Sequence, residues 1–137
     1  MSIATSPSSA DALPEKSWVN FVADLQGPEL APMLSPVRYI DLLGMDIETL
    51  ARNARVTVAA IAETPGAASI QMHLRENLRV IKAAHDVSGN DLLKTLRWFR
   101  AEPLPAFGRM TAEQAVAADR TDDVIRLILS LHGGAAG

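Results

Sequence analysis

The sequence predicts an all-α protein, and three observations carry that expectation. Apolar residues recur at helical spacing in one segment after another from Trp18 to Leu131. Alternation at period two, the mark of a half-buried strand, never persists over five residues. The segments are punctuated by Ser, Thr or Asp before them and Gly or Pro after them, the residues that suit helix ends. At 137 residues the chain is one domain's worth. Folding at that length buries roughly two thirds of the unfolded surface, enough to be stable without a metal or a disulfide.

Residues 1–16, rich in Ser, Ala and Pro and without a period, read as a tail. Trp18, Val19, Phe21, Val22 and Leu25 follow a helical spacing that Gly27-Pro28 stops, and Pro32 and Pro36 make the stretch up to residue 35 a connector. Pro36 is placed to start the next helix, whose stripe is Val37, Ile40, Leu42 and Leu43 and whose end is Gly44. Asp46 caps Ile47 to Ala54, Arg55-Val56 is a tight turn, and Thr57 caps a short helix that Pro65-Gly66 closes. Ser69 opens the longest helix, lined by Ile70, Leu74, Leu78, Ile81 and Val87, and Gly89 closes it. Asn90 or Asp91 caps the next, with Leu92, Leu93, Leu96 and Phe99 on its apolar face. Residues 102–108 contain two prolines and predict a stiff extended linker. Thr111 and Gln114 make a capping-box pattern. Thr121 opens the last helix, with Val124, Ile125, Leu127, Ile128 and Leu131 apolar, and Gly133-Gly134 ends it before a loose Ala135–Gly137. The division that follows is a tail (1–16), a first helix and connector (17–35), a helix-turn-helix-like region (36–88) and a smaller C-terminal helical domain (89–137).

Composition removes several classes of function. With no cysteine, the chain has no disulfide framework, thiol nucleophile or Cys-ligated metal. The formal charge is −3, distributed as −3 over residues 1–35, +2 over 36–100 and −2 over 101–137, so only the middle suits a small nucleic-acid site. The longest apolar run, Val56 to Ala62, is far short of the roughly 18 residues of a membrane helix. The N-terminus lacks the basic start and apolar stretch of a secretory signal, so a soluble cytoplasmic protein without membrane contact is expected. There is no Gly-rich phosphate loop, no GxSxG and no HExxH, and His73, His85 and His132 never fall at a metal-ligand spacing. Neither an enzyme nor a cofactor or metal site is expected.

Three features can carry binding. The pair of short helices at 46–63 has the length and punctuation of a helix-turn-helix, or is simply a packed helical hairpin. Arg52, Arg55 and Thr57 stand at its turn, and Arg75, Arg79 and Lys82 form a stripe on the long helix that His85 extends weakly. That stripe suits phosphates, a partner surface or plain solvation. Trp18 and Phe21 could form a sticky apolar face for a dimer.

The run from Leu96 to Ala115, LRWFRAEPLPAFGRMTAEQA, with Asp123 to Ile128 after it, resembles the C-terminal domain of the Xre/MbcA/ParS-like antitoxins. That family has a Trp-containing helix, a Pro-x-Pro-Ala-(Phe/Leu)-Gly linker, a Thr/Ser-started helix and a final Val-x-x-Leu-Leu helix; the likeness covers roughly residues 36–132. Two departures are local: Arg109 follows Gly108 where the family commonly has a second glycine, and Ala118-Asp119 stands where a glycine usually separates the last two helices. The resemblance implies a type II antitoxin that blocks the active site of a RES-domain, NAD-degrading toxin and that binds its own operator, as a homodimer or as a hetero-oligomer with the toxin. Carried onto this chain, the toxin-binding residues would be Trp98, Arg126, Leu127, Ser130, Leu131, His132, Gly133 and Gly134, and the DNA-binding residues Arg52, Arg55, Thr57, Arg75 and Arg79. A free-standing helix-turn-helix regulator is the alternative.

Overall fold

The computed structural model describes residues 18–28, 32–88 and 91–136, with residues 132–136 described by backbone alone. Helical backbone runs over 18–28 (α1), Pro36–Leu43 (α2), Ile47–Ala54 (α3), Val58–Glu63 (α4), Ala68–Val87 (α5), Leu92–Ala101 (α6), Ala112–Ala117 (α7) and Thr121–Ala136 (α8). A 3₁₀ turn at Pro105–Phe107 lies between α6 and α7. The all-α expectation holds. The tail 1–16, Gly89, Asn90 and Gly137 lie outside the described residues.

Local chemistry explains most helix ends. Ser35, Asp46, Thr57 and Asp91 each accept a hydrogen bond from a backbone N–H three residues on, at 3.3, 2.8, 3.0 and 3.1 Å, which satisfies donors the first helical turn leaves open. Thr111 and Gln114 close a reciprocal capping box at 2.9 and 3.1 Å. The long helix differs from expectation: it starts at Ala68, without a side-chain cap. Gln71, 3% exposed, instead accepts from Leu34 N–H at 2.9 Å and donates to the carbonyls of Leu34 and Pro65 at 2.8 and 2.9 Å. One buried amide therefore stitches the connector to the start of α5. Gly27 sits at φ +65, a backbone conformation that strains any residue with a Cβ, and the exposed Arg38 side chain lies over it.

α5 is the central strut. Its Ile70, Leu74, Val80 and Ile81 are fully buried. They join Tyr39, Leu50 and Ile61 of α2–α4 and Phe99, Ala115, Val124 and Ile128 of α6–α8 in one hydrophobic cluster. Because α5 packs on α6, α7 and α8, the segments 36–88 and 89–137 share a core.

Four expectations are corrected. Leu93 is 72% exposed, because Leu96 and Phe99 define the buried face of α6 and Leu93 lies off that row. The stretch 102–108 is extended only at its start, at Glu102 and Leu104, and then turns back: Leu104 N–H donates to Met110 O at 2.8 Å and Arg109 N–H to Leu104 O at 2.9 Å. The proline that disfavours α-helix before it starts a 3₁₀ turn readily, and the loop closes because it buries both Leu104 and Phe107. Helical backbone passes through Gly133 and Gly134 to Ala136. Glycine lowers helix propensity by about 1 kcal/mol against alanine but has none of proline's steric veto. Trp18 and Phe21 form no free face: Phe21 is buried, and the Trp18 ring lies 5.5 Å from Phe21 and 5.7 Å from His85, with Lys82 Nζ 5.6 Å from its centre.

Candidate functional site

The residues nominated for partner binding fall on α6 and α8. α8 seats Val124 and Ile128 in the core against α5. Helical geometry then turns Arg126, Leu129, Ser130 and Leu131 outward; Leu129 is 55% and Leu131 65% exposed. Leu127 is half-buried, and Arg126 donates to Asp123 of its own helix at 3.0 Å. Trp98 projects from α6 toward the same end and, with Leu131 and Ile128, lines an apolar groove of about 690 Å³ between α5, α6 and α8. The structure thus brings Trp98 and Leu131 together. For His132, Gly133 and Gly134 it gives helical backbone only; the His132 side chain lies outside what is described.

The residues nominated for DNA do not assemble into a bare cationic face. Arg55 takes a left-handed conformation, φ 62, at the end of α3, and Thr57 starts α4, whose exposed side is Val58, Ala59, Ala62 and Glu63. The Arg55 guanidinium reaches across the molecule and donates to Asp119 Oδ2 at 3.3 Å and to Ala117 O at 3.1 Å. Arg79 donates to Glu76 at 3.2 Å and to Asp122 at 3.1 Å, and these hydrogen bonds push its pKa upward. Arg52 donates to Thr49 of its own helix at 3.4 Å. Arg75 is exposed and makes no ion pair among the described residues. Lys82 pairs with Asp86 at 2.7 Å. Two of the nominated arginines therefore hold acids at the start of α8. Asp119 and Asp122 are their partners, and Asp123 pairs with Arg120 at 3.3 Å.

The histidines divide. His73 is half-buried on α5, with Nε2 3.1 Å from Asn77 Nδ2. Burial first, and the nearby Arg55 charge second, push its pKa down to about 4. His85 does not extend the basic stripe; it is 2% exposed beneath Trp18, and neither ring nitrogen has a hydrogen-bond partner. Among the described residues no three His, Asp or Glu side chains gather where they could hold a metal ion, and no helix is long and apolar enough to cross a membrane.

Sequence reasoning missed Arg100. Its Nε faces both Glu113 carboxylate oxygens at 3.3 Å, and its Nη1 donates to Gly44 O at 3.1 Å. Glu113 is 5% exposed, and burial raises its pKa against the opposing pull of Arg100. One guanidinium thereby ties the end of α2 to α6 and α7. No charge pattern in the sequence marks a pair thirteen residues apart across a folded loop.

No family model matches the chain, and no curated protein or solved structure matches it. The likeness to the antitoxins rests on the residues that carry it.

Proposed function

We propose that this chain is a non-catalytic binding protein of the antitoxin type. In this reading α8 docks on a RES-domain toxin in the cytoplasm and occludes the site where the toxin destroys NAD. One observation carries the proposal. At the two places where the family pattern has glycine and this chain does not, the backbone is left-handed: φ is 73 at Arg109 and 64 at Asp119. Left-handed backbone is where glycine is at ease and other residues are strained. A chain that holds it with Arg and Asp has the backbone course the glycines would serve. The exposed Leu129, Ser130 and Leu131 give α8 a surface to dock with. The free-standing regulator has only the α3–α4 hairpin to stand on, and the outward Val58, Ala59 and Ala62 cannot hydrogen-bond base edges.

Deleting residues 119–137 would not test the proposal, because it removes Val124 and Ile128 from the core. The informative variant is Leu129→Asp with Leu131→Asp, both at exposed positions. Co-expressed with the RES-domain protein of its own operon, the parent chain should form a complex that survives gel filtration and preserves cellular NAD. The double variant should fold like the parent and lose both properties. Full neutralisation by the variant, or an operon without such a protein, refutes the proposal.

A further inference from the structure

We propose that the groove between α5, α6 and α8 is a binding site for a single-chain aliphatic carboxylate, its head held by Lys94 and Arg97 and its chain against Trp98. The site goes beyond the antitoxin reading and does not depend on it.

The size and lining come first. A volume of about 690 Å³ falls within the roughly 300–1,000 Å³ of small-molecule sites. Its walls are Ala84, Val87, Trp98, Ala101, Ile128 and Leu131, and Leu131 is left 65% exposed there. The polar groups are few and mostly spent. Thr95 Oγ1 donates to Asp91 O at 2.9 Å, and the one proton of Ser88 Oγ goes either to Thr95 Oγ1 at 3.1 Å or to His85 O at 3.3 Å. A ligand rich in hydroxyls or amides would leave its groups unpaired here, which is costly. A hydrocarbon body would not.

Charge then selects the head group. Arg55, Arg79, Lys82, Arg100, Arg120 and Arg126 each pair with a carboxylate. Lys94 and Arg97, which line the groove, have no ion-pair partner among the described residues. They stand three residues apart on α6, so their side chains are neighbours on one face. The lining's carboxylate, Glu102, follows the end of α6, five residues beyond Arg97 and eight beyond Lys94, and makes no ion pair with either. A guanidinium takes a carboxylate through two parallel hydrogen bonds, and an ammonium beside it adds a third. A ligand with one anionic head and an otherwise apolar body matches this arrangement.

The experiment is calorimetric titration of the full chain, without any partner, with octanoate, decanoate and dodecanoate below their micelle concentrations. Saturable one-to-one binding is expected, tightening about fourfold per added methylene. Dodecanol should bind about tenfold more weakly than dodecanoate, for want of the charged hydrogen bonds. Lys94→Gln with Arg97→Gln should bring dodecanoate down to the alcohol's affinity and leave the alcohol unchanged. Ala101→Trp, at an exposed position on the rim, should fill the groove and abolish binding of both, with the fold checked by circular dichroism. Absence of saturable heat overturns the proposal, as does an alcohol that binds as well as the acid. A dimer that Ala101→Trp breaks and dodecanoate does not displace would assign the groove to a second copy, and overturns it too.

Discussion

Replacing Arg100 with methionine keeps most of the side chain's length and removes its charge. In the folded protein this leaves the Glu113 carboxylate, 5% exposed, without its partner and the Gly44 carbonyl without its donor. Breaking a fully buried ion pair costs about 3–5 kcal/mol, because the survivor remains desolvated. The Arg100 side chain is 28% exposed, so water recovers part of that, and about 2–3 kcal/mol is expected. At the usual unfolding entropy per residue, this lowers the Tm of a chain this size by about 7–10 °C. The loss must also depend on pH. Burial already raises the folded-state pKa of Glu113, and Arg100 opposes it; without Arg100 it rises further. A carboxyl whose folded pKa lies above its unfolded one contributes stability at low pH that is lost as pH rises through the folded value. The variant should therefore sit closest to the parent near pH 4 and furthest from it near pH 7. Adding Glu113→Met should restore most of the loss, since an apolar pair of similar volume replaces a buried ionic one at little cost. Urea unfolding of the three proteins at pH 4.5 and 7 measures all of this. A loss under 1 kcal/mol at pH 7, or one that is the same at both pH values, would refute the reasoning.

Two further outcomes follow from strained backbone and from a buried imidazole. Arg109 is exposed, makes no ion pair among the described residues and sits at φ 73. Arg109→Gly relieves roughly 1–2 kcal/mol of left-handed strain against ~0.5–1 kcal/mol of added unfolded-state freedom, so thermal melting should rise by about 2–4 °C; a lower Tm would contradict it. His73, held near 4 against an ordinary 6.5, stabilises the fold above the unfolded value, and that contribution is lost as pH falls from 6.5 toward 4. His73→Gln cannot take the charge, so its denaturation curve should fall less steeply with pH than the parent's, the gap reaching about 2 kcal/mol by pH 4.5 after allowance for partial exposure; parallel curves would remove His73 from the account.

What was legible in the sequence is what is local in the fold. A cap is a contact over three residues, so Asp46, Thr57 and Thr111 announced the helices they start, and the fold class followed from their sum. Where a second, distant surface decides, the sequence was silent or misleading. Leu93 and Leu96 are the same residue type three positions apart, and only the packing of α6 on α5 and α7 buries one and exposes the other. His85 looked like a weak extension of a basic stripe; the Trp18 ring, sixty-seven residues earlier, covers it. Arg55 and Arg79 show the limit most clearly for function. Net charge along the chain set them apart as free cations in a basic middle segment, while the acids at 119 and 122 belonged to an acidic end. Folding brings α8 alongside α5 and turns those two segments into partners, so any polyanion that uses Arg55 or Arg79 must compete with carboxylates of the same chain. Exposed pairs of this kind are worth little each. They do not close the surface to phosphate, but they set the charge it presents, which is nearer neutral than the sequence count implies.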